Sequence, residues 1–171
     1  WLEHTTHNRG VAGSSPALAT TLDRMVNPAV EGKTYPATDP YLVGREKIRE
    51  FAHAVKSTNP NNLDVFAAQA AGYDDVIAAP TFAVVIQERS LATVLADKEA
   101  DIDFSRVVHG DQRFIHARPI VAGDELTSEL TVSSVKTLGA HSMVTFETKI
   151  FDIKNDLVCT AISTLVVRGD E

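Results

Sequence analysis

The chain has 171 residues, 44% of them hydrophobic and 23% charged, which suits one globular domain with a real core. Its formal net charge of −7 argues against nucleic acid as a partner, because a phosphate backbone calls for a basic face. No stretch approaches the roughly 20 apolar residues of a membrane-spanning helix, and the single cysteine, Cys159, excludes an internal disulfide and fits a reducing, cytoplasmic setting.

Residues 1–24 show no hydrophobic periodicity and are rich in small polar side chains. They lack the apolar core of a secretory signal. They read as a flexible leader outside the fold, with Met25 as the natural start and one domain over 25–171. His4 and His7 have ligand-like spacing, but no further ligand clusters near them, so no metal site is expected. The segment Val30 to Pro36 reads as an entry strand or sheet edge, ended by Pro36 and Pro40. Arg45 to Lys56 is predicted helical: Ile48, Phe51, Ala52 and Val55 fall at i, i+3, i+4 and i+7. His53 sits off that stripe and reads as solvated.

Asn59-Pro60-Asn61-Asn62 is a turn, and Leu63 to Ala71 a short helix closed by Gly72. Pro80 to about Ala96 is the longest helix. Its first half is apolar on most of its circumference and should be buried, whereas Gln87, Glu88 and Arg89 suggest that its second half emerges. Asp97 to Asp103 reads as a solvated acidic loop.

Strands follow. Val107 to Ala117 leads to Pro119 and a Gly123-Asp124 turn. Glu125 to Lys136 alternates, with Leu126, Leu130 and Val132 on one face. Leu138-Gly139-Ala140 turns the chain into Ser142 to Ile153, where Val144, Phe146 and Ile150 share a face. Asn155-Asp156 suits a tight hairpin, and Val158 to Arg168 closes the sheet as an apolar last strand, which reads as an open edge that needs a partner. Cys159 within it reads as a small core residue rather than a nucleophile. An antiparallel sheet around one apolar helix is α+β.

Two stretches carry a resemblance. Phe51-Ala52, Asn59-Pro60 and Asp64 match, without a gap, the active-site loop of MaoC-like, R-specific enoyl hydratases and hydroxyacyl dehydratases. Val108-His109-Gly110-Asp111-Gln112-Arg113-Phe114, with Arg118-Pro119 and Gly123-Asp124, is similar to the paired motif of MaoC-like N-terminal dehydratase domains. The resemblance spans roughly Met25 to Arg168 and implies a hot dog fold. It implies no metal and no other cofactor. His109 is the one histidine in a family motif and reads as structural before it reads as a substrate contact.

The resemblance also places the family's catalytic Asp on Ser57 and its catalytic His on Asn62. Ser57 has no evident base beside it, and Asn62 does not titrate. Removing a proton from C2 and protonating a departing hydroxyl needs titratable groups. The family's glycine N–H, which polarises the thioester carbonyl, falls on Pro80, and proline has no N–H. Pro80 equally suits the first turn of a helix.

The subgroup most resembled is the non-catalytic A subunit of actinobacterial (3R)-hydroxyacyl-ACP dehydratases. That implies a substrate-binding subunit for an acyl-ACP or acyl-CoA. It would work with a catalytic MaoC-like sibling in a heterodimer, or in a homodimer. Phe51, Val55, Ala78, Ala79, Thr81 and Phe82 are the candidate acyl-binding residues. The alternatives are a homodimeric hydratase using His53, Asp64 or His109, a non-enzymatic acyl-thioester-binding protein, and a hot dog thioesterase. For the last, no water-activating carboxylate stands out.

Overall fold

Strict two-residue alternation in the C-terminal half becomes sheet. In the computed structural model, which describes residues 25–169, the strands are β1 (Tyr41–Leu42), β2 (Val107–His116), β3 (Glu125–Leu138), β4 (His141–Asp152) and β5 (Leu157–Val167). They form one antiparallel sheet in the order β1-β3-β4-β5-β2. Along β3 the residues Leu126, Ser128, Leu130 and Val132 are buried, and along β4 Val144, Phe146, Thr148 and Ile150 face the same core. The β3–β4 hairpin turns at Gly139, whose φ of 61° a residue without Cβ adopts at little cost.

The helices are α1 (Arg45–Ala54), α2 (Val65–Ala70) and α3 (Ala83–Ala96). α3 lies on the concave face, and the sheet curls around it. Two apolar clusters result. One gathers Leu91, Val94, Leu130, Phe146 and Leu165 near the end of α3. The other gathers Ile48, Phe82, Ile86, Leu126 and Ile150 near its start. Burying a leucine or phenylalanine side chain contributes about 1.5–3 kcal/mol, so these two clusters dominate the fold's stability.

Several elements differ from the sequence reading. Val30 to Pro36 is not a strand. A 3-10 turn over Pro28–Val30 precedes an extended run held against β3 by one bridge, Thr34 to Thr131, and by single backbone bonds such as Tyr35 N–H to the Leu130 carbonyl at 2.8 Å. α1 stops at Ala54, so Ile48 and Ala52 are buried while Val55 lies past the end and is exposed. Pro80 opens a 3-10 turn over Pro80–Phe82, and the α-helix begins at Ala83.

The second half of α3 emerges on one face only: Glu88, Arg89, Ala92 and Thr93 are exposed, and Gln87 turns inward instead. Gln87, Ser90, Leu91 and Val94 are buried, and Gln87 Nε2 donates to Ser163 Oγ on β5 at 3.0 Å. Asp97 is not a solvated end of the acidic loop: it accepts hydrogen bonds from Lys33 Nζ and from the Tyr35 hydroxyl, each at 2.7 Å. Finally, β5 is not an edge. β2, earlier in the chain, returns to pair with it and becomes the edge instead. His4 and His7 fall outside the described residues.

Candidate functional site

The turn after α1 is built from its own side chains. Asn59 Oδ1 accepts from Asn61 N–H at 3.0 Å, and Pro60 fixes the first residue of a 3-10 turn over Pro60–Asn62. Ser57 Oγ–H donates to Asn62 Oδ1 at 2.7 Å, and Asn62 Nδ2–H donates to the Ile77 carbonyl at 2.7 Å. Asn62 is 2% exposed. Ile77 N–H returns a bond to the Asn61 carbonyl at 3.0 Å. The loop 57–62 is thus strapped to the segment that leads into α3.

A groove of about 320 Å³ opens beside this strap. Asn59, Asn62, Ala78, Ala79 and Pro80 form one wall, and the end of β2 with His116, Arg118 and Pro119 forms the other. His116 was not legible as a site residue. Its Nε2 lies 2.8 Å from the Pro80 carbonyl, the acceptor, across 36 residues of sequence. The only local hint was its parity: His116 shares the inner face of β2 with Gln112 and Phe114.

Arg118 is occupied by a clamp. Its guanidinium donates to both Asp124 carboxylate oxygens, at 2.8 and 3.0 Å, and to Asp152 at 3.2 Å. Asp124 also accepts from Val121 N–H at 2.8 Å, and Gly123 sits at φ 96°. The Arg-Pro-x-x-x-Gly-Asp stretch is therefore a closed turn that fixes the groove's rim.

A second groove, about 480 Å³, runs between α3 and the inner face of β2 and β5. Thr81, Val84, Leu91, Phe114 and Leu165 line it, with Gln87, His109 and Ser163 among its polar members. The Oε1 of Gln87 is buried with no hydrogen-bond partner.

The structure divides the sequence-derived residues between these places. Asn62, Ala78, Ala79 and Pro80 meet at the first groove, and Thr81 lines the second. Ser57 supports the first groove from behind through Asn62. Phe51 and Phe82 line neither groove. Phe82 is fully buried, and Phe51 packs edge-on against it with ring centroids 5.3 Å apart. Val55 lines neither groove and is 46% exposed.

His53, Asp64 and His109 are not bonded to one another. His53 is exposed in the last turn of α1, and Asp64 caps α2 by accepting from Phe66 N–H at 2.7 Å. His109 Nε2 lies 3.3 Å from Gln112 Oε1 at the mouth of the second groove.

Cys159 lies 4.0 Å from His116 Nε2, yet burial pushes its thiol up to about 11. A thiol held so far above neutral pH is a poor nucleophile. Among the described residues no group of three or more His, Cys, Asp or Glu side chains could hold a metal ion. No helix there is long and apolar enough to cross a membrane.

An antiparallel sheet curled about one buried helix, with a strapped Asn-Pro turn at the helix entrance, defines a MaoC-like hot dog protein of the dehydratase class. Residues 29–161 match the FAS1-like, dehydratase domain region, and the chain belongs to that family. A UPF0336 protein of Leifsonia xyli is 64% identical over 146 residues, covering 85% of this chain and 98% of the relative. The structure is similar to a C-terminally truncated HadBC (3R-hydroxyacyl-ACP dehydratase) complex from Mycobacterium tuberculosis, with a TM-score of 0.70 and 31% identity over 80% of this chain and 96% of that one. It is also similar to a MaoC-like dehydratase, with a TM-score of 0.73 and 31% identity over 82% of this chain and 42% of the other.

Proposed function

We propose that this chain is the substrate-binding, catalytically degenerate subunit of a (3R)-hydroxyacyl-thioester dehydratase. It acts in the cytoplasm in fatty-acid-type elongation. A sibling hot dog subunit supplies the acid/base chemistry, and this chain helps to house the acyl tail of an acyl-ACP or acyl-CoA. The observation that carries the reading is the Ser57–Asn62–Ile77 strap. Where the resemblance puts an acid/base pair, two neutral side chains are hydrogen-bonded to each other and to the backbone. Neither can move a proton between substrate atoms. Pro80 adds to this, since it presents no N–H at the entrance to α3.

The small side chains at Ala78 and Ala79 suit the same reading. They leave room in the groove and put no charge at its centre, which favours an apolar tail. Assembly with a sibling suits the similarity to HadBC, which is a complex.

Steady-state hydration of enoyl thioesters from C4 to C12 tests the proposal. The lone chain is expected to show no turnover, and co-expression with a MaoC-like sibling should yield an active pair. Turnover by the lone chain that survives Ser57→Ala and Asn62→Ala but is lost in His116→Ala would overturn it in favour of a homodimeric hydratase. His116 earns that place in the test as the one histidine lining the first groove.

A further inference from the structure

The second groove combines an apolar wall with one unmet polar group. Val84, Leu91, Phe114 and Leu165 supply the wall. Gln87 and Ser163 lie among them, 2% and 3% exposed. Gln87 Nε2–H donates to Ser163 Oγ at 3.0 Å, which leaves Gln87 Oε1 buried without a donor. Ser90 does not supply one: its hydroxyl donates to the Gln87 backbone carbonyl at 2.8 Å. The other buried side-chain oxygen without a partner among the described residues, Thr148 Oγ1, lines neither groove. Buried polar groups are normally paired, and apolar walls around a few placed polar atoms are what a small-molecule site presents.

The chemistry around Gln87 narrows the ligand. Glu88, the one carboxylate lining the groove, is exposed. An ammonium buried at Gln87 would lack a counter-charge, so the donor is neutral. Ser163 Oγ can donate as well as accept, so the Gln87 amide satisfies it either way round. Turned over, the amide leaves an Nε2–H free in place of Oε1. A hydroxyl meets both cases, since it both donates and accepts. Thr81 and Leu91, the first and last lining residues along the helix, lie roughly 15 Å apart at about 1.5 Å per residue, with Gln87 between them. A ligand that fills the groove is therefore apolar on both sides of its polar group.

We propose that the second groove binds an extended hydrocarbon chain with one hydroxyl away from its ends, and that Gln87 selects for that hydroxyl. This goes beyond the proposed function: the site lies in this chain alone and needs neither a sibling nor turnover. A free hydroxylated lipid and a thioester-borne hydroxyacyl tail share this chemistry.

NMR titration of the full chain tests it with two isomers of decanol, one with its hydroxyl in mid-chain and one with it at the end. Nine C–C bonds of about 1.5 Å span at most about 14 Å, within the groove's length. The terminal isomer reaches Gln87 only by leaving part of the groove empty. The mid-chain isomer should bind roughly tenfold tighter, with NOEs to Leu91, Phe114 and Leu165. Gln87→Met keeps the side chain's length and removes the amide. Gln87→Met with Ser163→Ala also leaves no orphaned hydroxyl behind. In either variant the two isomers should bind alike. Should neither variant pass a circular-dichroism check of folding, an NOE between the carbinol proton and the Gln87 side-chain amide of the wild type decides, and its absence overturns the proposal. No binding of either isomer, equal affinities in wild type, a preference that persists in a folded variant, or NOEs confined to Ala78 and Ala79 would each overturn it as well. A further titration with mid-chain hydroxydecanoyl-CoA separates the two sources: tighter binding than the free alcohol assigns the groove to thioester-borne tails, and equal or weaker binding to free lipids.

Discussion

Asn62 commits its amide to two partners inside the molecule, Ser57 and the Ile77 carbonyl, and that is the residue-level observation on which the proposed function rests. Asn62→Ala would leave the Ile77 carbonyl without its 2.7 Å donor and Ser57 without its acceptor. Orphaning a buried polar group costs about 1–3 kcal/mol. We expect a loss of that size in urea unfolding, and a loss nearer about 1 kcal/mol for Ser57→Ala, which removes the bond to Asn62 and a longer one accepted from Asn59 N–H at 3.3 Å. Equal, negligible effects would show that the strap does not hold the turn. Cys159 provides a second residue-level expectation. With its thiol pushed up to about 11 by burial, it should react slowly with a disulfide reagent at pH 8 in the native protein and rapidly once unfolded. Ser57, Asn62 and Pro80 were legible because a gapless motif named their positions. His116 was not, because what defines it is the Pro80 carbonyl, a backbone group remote in sequence.

The contact between the entry segment and the end of α3 shows what periodicity leaves out at the scale of elements. Lys33 and Tyr35 fold back to hold Asp97, so a residue that looked like a solvated charge ties the first described segment to the helix. The Lys33 ammonium, then the Tyr35 hydroxyl, hold the Asp97 carboxyl down at about 2, against 3.8 for an ordinary one. The folded value is depressed. The stability it contributes is therefore full above about pH 4 and lost as pH falls toward 2. Melting temperatures measured from pH 5 to 2 should fall less steeply in Asp97→Asn than in wild type. Identical slopes would mean that the contact is not maintained in solution. The same distinction governs the rest of the fold. Strand faces and the buried first half of α3 were readable, since alternation and an all-apolar run are local signals. The burial of Gln87 and the interior place of β5 were not, since each depends on a partner, Ser163 or β2, that only the tertiary pairing supplies.

At the scale of the whole molecule, the sheet curls around α3 and leaves one apolar groove at the helix entrance and another along its flank. On the proposed function, an acyl tail anchored in a sibling's site needs an apolar path in this half, and Ala78 and Ala79 are small side chains on the wall of the first groove. Both are nearly buried, and both line the first groove. Phe82 is a poor place to probe the path, because it lies inside the core, where truncation to alanine costs about 3–5 kcal/mol of stability. Ala79→Phe is the informative change. A ring there should fill part of the groove and shorten the chain that fits, while leaving the sibling's proton transfers intact. Each buried methylene is worth about 0.8 kcal/mol, so a tail cut short by three carbons loses about 2.4 kcal/mol, on the order of 50-fold in kcat/KM. In the assembled pair, long acyl substrates should lose that much and C4 substrates should stay near wild type. Equal losses at every length, with an unchanged melting temperature, would place the tail elsewhere, and the larger groove along α3 beside Thr81 and Leu91 would be the next surface to fill.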